Sequence, residues 1–133
     1  MIIAALNFPF KACKGVELLP GLCRNAEESV ARLRERISKD DVDIELPEIA
    51  IHEEDLLKCP WNQEADIAYC ANVTFTTELM NSIAEMCRSM KPGSRFVSLK
   101  MLECDYSDYL EDIAQINLKN SWGPQIAHVY RRK

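Results

Sequence analysis

The chain has 133 residues, is 47% hydrophobic, and sets 16 Lys plus Arg against 21 Asp plus Glu for a formal net charge of −5. That length fits one domain, and the apolar share fits one core with little to spare. The acidic balance shows no strongly basic patch for nucleic acid, and no run approaches the roughly 18 apolar residues of a membrane span.

Met1 to Asn7 reads as the tail of a helix; Met1 to Leu6 is apolar but has no basic residue before it, so it does not read as a signal peptide. Lys14 to Leu19 (KGVELL) reads as a short strand, and Pro20 then opens a helix, as suits proline in a first turn. Leu22, Ala26, Val30, Leu33 and Ile37 recur at helical spacing, with Arg32, Arg34, Glu35 and Arg36 among the polar positions. Ser38 to Asp43 is an acidic, turn-rich stop. Pro47 to His52 reads as a second strand, followed by Glu53, Glu54 and Asp55.

Ile67 to Ala71 is a continuous apolar run, as expected for a strand buried on both faces of a parallel sheet. Leu79, Ile83, Met86, Cys87 and Met90 make one helical face, read as core. Lys91-Pro92-Gly93-Ser94 breaks that helix, and Arg95 to Leu99 is the next strand. Asp108 to Leu118 is ambiguous between helix and strand. Ala114 to Leu118 and Ile126 to Tyr130 alternate weakly, and Asn120 to Pro124 between them supplies turn chemistry. The closing Tyr130-Arg131-Arg132-Lys133 reads as a solvated basic end. Alternating elements argue for a doubly wound α/β sheet, mostly parallel, ending in an antiparallel hairpin.

The six cysteines (Cys13, Cys23, Cys59, Cys70, Cys87, Cys104) form no CxxC pair, and there are two histidines, so no metal site is expected. Free cysteines on apolar faces point to a reducing, intracellular compartment.

Open α/β sheets hold ligands at the carboxyl ends of their strands. Glu17 stands at the end of the first strand, where an acid accepts hydrogen bonds from ribose hydroxyls; the alternative is an exposed acid at a strand end. Asp55 follows the second strand and suits an adenine amino group, or else a helix N-cap. Asn72 follows the third strand; its amide both donates and accepts, which suits the reacting centre or a local turn. Phe75 walls an apolar channel or belongs to the core. Polar residues after three successive strands make a constellation similar to class I S-adenosylmethionine (SAM) binding, and Lys91-Pro92-Gly93-Ser94 before Arg95-Phe96-Val97 is similar to the Lys-Pro-Gly-Gly turn of that superfamily.

The segments GVEL (15–18), EDLL (54–57), IAYCANVTF (67–75), MKPGSRFVSLK (90–100) and NSWG (120–123), in this order, resemble the catalytic domain of the disruptor-of-telomeric-silencing family. Those are non-SET methyltransferases that modify a lysine on the face of the nucleosome core. The resemblance implies a Rossmann-like class I methyltransferase sheet, SAM as cofactor, a histone or nucleosome as protein partner, and a nuclear location. It places Glu17 on the ribose, Asp55 on the adenine amino group, and Leu56 against the ring where the family usually has Phe. It places Asn72 beside the transferable methyl and the lysine channel, Phe75 at the close of the same motif, and Trp122 in the channel wall.

Two departures stand out. The family usually has two Asn where this chain has Ala71-Asn72, and a tyrosine pair where it has Gln125-Ile126. A sheet of this kind normally begins with a strand and a glycine-rich turn; with four glycines and no GxG, residues 1–133 are expected to be a single partial domain, truncated at its N-terminus, with weak or no activity alone. Two other functions remain open: methyl transfer to a non-histone or small-molecule substrate, and a degenerate non-catalytic domain kept for protein binding.

Overall fold

The computed structural model describes residues 1–41 and 43–133, which sort into two compact units, Met1–Cys59 and Pro60–Lys133.

In the first unit a short helix α1 (Ile2–Asn7) precedes strand β1 (Ala12–Glu17), helix α2 (Pro20–Lys39) and strand β2 (Glu48–Glu53). β1 and β2 pair in parallel from Ala12↔Glu48 to Glu17↔Glu53, with α2 as their crossover. Pro20 sits in the first turn of α2, where its missing N–H costs nothing, and Arg36 and Lys39 in the last turn complement the helix dipole. The helix ends with Asp40 as its cap; of the stretch 38–43 expected as the stop, residue 42 lies outside the described residues. Ala5, Val30 and Ile49 form the core, with Ile2 and Cys13 packed against it. The inward stripe of α2 runs through the buried Cys23 and Val30 and the half-buried Ala26, Leu33 and Ile37, whereas Leu22 is 50% exposed. Leu22 is one residue out of phase with that stripe. β1 starts and stops two residues earlier than expected, because Leu18 and Leu19 turn out to solvent ahead of Pro20.

The second unit begins with a one-turn helix α3 (Trp61–Glu64), which the sequence pattern does not show. Strand β3 (Ile67–Cys70), helix α4 (Thr77–Met86), a 3-10 turn (Cys87–Ser89) and strands β4 (Arg95–Ser98), β5 (Leu110–Asn120) and β6 (Gly123–Arg132) come after it. Their sheet runs β3-β4-β6-β5. β3 and β4 are parallel, while β6 is antiparallel to both β4 and β5. Thr76 caps α4 through its hydroxyl, which accepts from the Leu79 N–H at 3.3 Å. Ile83, Ala84, Cys87 and Met90 are buried along the helix face expected to be core, joined by Met80, while Leu79 and Met86 are half-buried. The centre is a stack of rings: Trp61 on Phe96 at 6.3 Å and Phe96 on Tyr130 at 6.2 Å. Gly93, at φ 83°, takes the left-handed position of the breaker turn, and its N–H donates to the Arg132 carbonyl at 2.8 Å.

The α/β class and the closing antiparallel hairpin are as expected; one open choice is settled and two details differ. The ambiguous segment after Asp108 is a strand, one arm of a long hairpin with a bulge between Asp112 and Ala114. That hairpin makes the four-stranded sheet mixed, so parallel and antiparallel pairings are equal among the described strands, and the strands form two sheets where one mostly parallel sheet was expected. β3 is not buried on both faces: Ile67 and Tyr69 are 47% and 55% exposed, because β3 is an edge strand whose buried face is the one carrying Ala68 and Cys70 beside Phe96 and Ser98.

Candidate functional site

A parallel crossover sends both of its strands out at the same edge of the sheet, so loops after them meet there. In the first unit this edge carries Glu17 and the turn 54–58. Glu17 is half-buried, and its Oε1 accepts from the Leu19 N–H at 2.9 Å. The Glu17 carbonyl accepts from the Glu54 N–H at 3.0 Å, which ties the end of β1 to the chain leaving β2. Asp55 organises its own turn: Oδ1 accepts from the Leu57 N–H at 2.9 Å, and its carbonyl accepts from the amides of Lys58 and Cys59. Lys58 Nζ stands 4.0 Å from the carboxylate. Leu56, next along, is half-buried. Below them the Cys23 thiol donates to the Glu17 carbonyl at 3.3 Å; burial, then the nearby carboxylates of Glu53, Glu17 and Glu27, push its pKa up.

The corresponding edge of the second unit is built on Asn72, which is fully buried. Its Oδ1 accepts from the backbone N–H of Leu99 at 2.9 Å and of Lys100 at 3.1 Å. Its Nδ2 donates to Ser98 Oγ at 2.7 Å and to Met80 Sδ at 2.9 Å. An amide offers two donors and two acceptor positions, and all four are taken by the fold. The side chain thus stitches the end of β3 to the end of β4; the exposed member of the pair is Ala71. Phe75 closes the turn, its N–H donating to the Asn72 carbonyl at 3.1 Å, and its ring is half-buried. Lys100 Nζ donates to the Phe75 carbonyl at 2.7 Å.

Trp122 lies in the two-residue turn between β5 and β6 and is 63% exposed. Antiparallel pairing of β4 with β6 puts it on the same side of the sheet as the ends of β3 and β4. Ser98 pairs with His128, and at about 3.4 Å per residue the Trp122 turn stands roughly 20 Å further out along the hairpin. Gln125 is half-buried and Ile126 exposed on that arm.

The described arrangement therefore brings Glu17, Asp55 and Leu56 to one strand-end edge, and Asn72 and Phe75 to another with Trp122 beyond them. Ser98 and Lys100 went unnoticed in the sequence. The signal was available: they end and succeed the second strand of a crossover, where ligand-side polar groups belong. The thiols of Cys70 and Cys87 lie behind this edge, and burial pushes their pKa values up to about 11 and about 12, away from the thiolate form. Among the described residues no group of three or more His, Cys, Asp or Glu is placed to hold a metal ion, and no helix is long and apolar enough to cross a membrane.

The family model described as "Histone methylation protein DOT1" matches residues 1–123. No curated protein matches the sequence. Among solved structures, a Haemophilus influenzae protein assigned as a methylase superposes with a TM-score of 0.62 at 14% identity, over 91% of this chain and 72% of that one. At that identity the likeness concerns the fold.

Proposed function

We propose that this chain, which belongs to the DOT1 histone methylation family, carries methyltransferase machinery that moves a methyl group from SAM to a protein lysine, a core-histone lysine of the nucleosome in the first instance. The supporting observation is the placement of acids at the carboxyl ends of two adjacent parallel strands, Glu17 as the last residue of β1 and Asp55 just after β2. A carboxylate pair so placed suits a nucleoside: Glu17 accepts from the two ribose hydroxyls, Asp55 accepts from the adenine amino group, and Leu56 packs on the ring. The single-domain reading of residues 1–133 and a nuclear place of work are parts of the same proposal.

SAM supplies a methyl group on a positively charged sulfur. Held by Glu17, Asp55 and Leu56, it would supply that methyl group to a lysine nitrogen, the carbon–sulfur pair being left on sulfur. Catalysis on this reading is mostly positioning. The acceptor amine must arrive neutral, and an apolar channel favours that form by desolvation. Phe75 and Trp122 are the proposed channel aromatics. Asn72, whose amide is wholly engaged within the fold, contributes by holding the turn from which Phe75 projects.

One observation favours a second reading. The arm after Trp122 presents Gln125 and an exposed Ile126 where the family usually has tyrosines, so a different acceptor, non-histone or small, remains the alternative. Calorimetry with SAM, and with its demethylated product, tests the proposal. Saturable binding that weakens about tenfold (about 1.4 kcal/mol) in Glu17→Ala and in Asp55→Ala is expected; no heat at millimolar ligand overturns it. Radiolabelled transfer to nucleosomes, free histones and lysine peptides then divides the two acceptors.

A further inference from the structure

We propose that Lys100 is a positioning residue for the turn 72–75, setting the height of Phe75 at the strand-end edge through the Phe75 carbonyl. The inference rests on the methyl-transfer reading above for its consequence, but not for its geometry. A lysine ammonium is strongly hydrated and normally keeps its head in water. Lys100 instead is half-buried, with Nζ 2.7 Å from a main-chain carbonyl 25 residues earlier in the chain.

Lys100 grips both ends of the turn. Its backbone N–H donates to Asn72 Oδ1 at 3.1 Å and to Ser98 Oγ at 3.2 Å, and its carbonyl accepts from Ser98 Oγ at 2.5 Å. Its side chain then crosses the turn to Phe75, whose N–H already bonds the Asn72 carbonyl. Asn72, Ser98 and Lys100 thus form one connected network around four residues, and Lys100 is the member that reaches the exposed side of it.

The placement runs against the helix field. Phe75 immediately precedes Thr76, the N-cap of α4, so the ammonium lies at the positive end of a helix, where anions are favoured. Glu78 in the first turn of α4 supplies the favoured charge there. A cation held at that end against the dipole is doing something other than stabilising α4, and the bond it makes fixes the one carbonyl between the turn and the helix.

The test uses the full chain with Lys100→Met, which keeps the stem and removes the donors, and Lys100→Arg, which restores a cation. Without ligand, amide hydrogen exchange at Phe75, whose N–H bonds the Asn72 carbonyl, is expected to speed up tenfold or more in Lys100→Met, with β4 and β6 unchanged, and to return toward the parent rate in Lys100→Arg. In methyl transfer, Lys100→Met is expected to lower kcat at least tenfold while SAM affinity stays within twofold. Unchanged exchange overturns the clamp. Faster exchange with unchanged kcat overturns the positioning role. If the parent chain binds no SAM, the methyl-transfer reading fails, and the exchange result still decides the clamp. Should Lys100→Met not fold, Lys100→Gln takes its place with the same expected outcomes.

Discussion

The two units use the same device, a parallel strand–helix–strand crossover, and hold it together differently. In Met1–Cys59 the side-chain bonds that follow are local. Leu19 to Glu17, Cys23 to Glu17, Ser29 to Asn25 and Leu57 to Asp55 span two to six residues, and the ion pairs Glu28–Arg32, Glu35–Lys39, Arg36–Asp40 and Asp55–Lys58 are all three or four apart. In Pro60–Lys133 local bonds such as Ser82 to the Glu78 carbonyl and Arg88 to Glu85 are joined by bonds that reach across the chain: Asn62 to the Met86 carbonyl, Lys91 to Asp66, Asn72 to Ser98, Arg88 to Asp108, Arg131 to Glu111, Leu102 N–H to the Tyr130 hydroxyl. Local bonds form with little help from the fold and so stabilise it little, whereas long-range bonds, of which Asn72–Ser98 and Leu102–Tyr130 are buried, exist only in the folded chain. The proposed cofactor acids therefore sit on turns that hold themselves, and the proposed substrate-side turn sits on a frame fixed by the whole second unit.

The largest expected effect is in that frame. Phe96 is 1% exposed and stacks between Trp61 and Tyr130, so Phe96→Ala should cost about 3–5 kcal/mol. Val30, which shares the first core with Ile49 and is 6% exposed, loses two methyl groups in Val30→Ala, about 1.5 kcal/mol. Urea denaturation of both variants measures the gap. Equal losses would break the contrast between the units.

The next test compares two strand-end polar residues directly. Asn72→Ala takes the better acceptor from the Leu99 and Lys100 amides, which keep only the Cys70 carbonyl at 3.4 Å and Ser98 Oγ at 3.2 Å, and a net loss of about 1–3 kcal/mol is expected. Asp55→Ala removes one exposed turn bond from the Leu57 amide, about 0.5–1 kcal/mol. The same denaturation experiment reads both. A loss below about 1 kcal/mol for Asn72→Ala would mean that the network is not buried in solution.

Much of the layout was legible because it rests on period and punctuation. Pro20, the Lys91-Pro92-Gly93-Ser94 breaker and the apolar run at Ile67 place their elements within two residues of where they lie. Glu17, Asp55 and Asn72 stand out in the sequence because each is a polar residue at or just past the end of an apolar strand run. What a side chain does at that place was less legible. Whether Asn72 faces a ligand or the core depends on residues 26 to 28 positions away, Ser98, Leu99 and Lys100, and no local pattern encodes that. The β5 arm was ambiguous for a related reason. Its long solvated face, from Glu111 to Asn117, carries little apolar alternation, and only the pairing with β6 makes it a strand.

The smallest expected effect concerns charge. The Arg88 guanidinium, which also stacks 4.0 Å over Tyr109, holds the Asp108 carboxyl below the usual carboxylate range. The Glu78 carboxyl is held down by its own backbone N–H and by the Thr76 hydroxyl. A carboxylate whose folded pKa is depressed contributes stability that is fully present above its unfolded value, about 4, and that is lost as pH falls through the folded value. Asp108→Asn and Glu78→Gln should therefore lower the urea midpoint at pH 6 and lower it progressively less as the pH falls below about 4, with Trp61 fluorescence in a Trp122→Phe background as the reporter. Both groups are well exposed, so solvent screening keeps the pH 6 effect small, and added salt should shrink it further for Asp108. The Asp108 bond spans 20 residues, to Arg88, whereas Glu78 acts within its own helix turn. If the two variants lose equal stability at pH 6, the reach of a polar bond along the chain is not what separates the two units, and the difference between them lies in apolar packing alone.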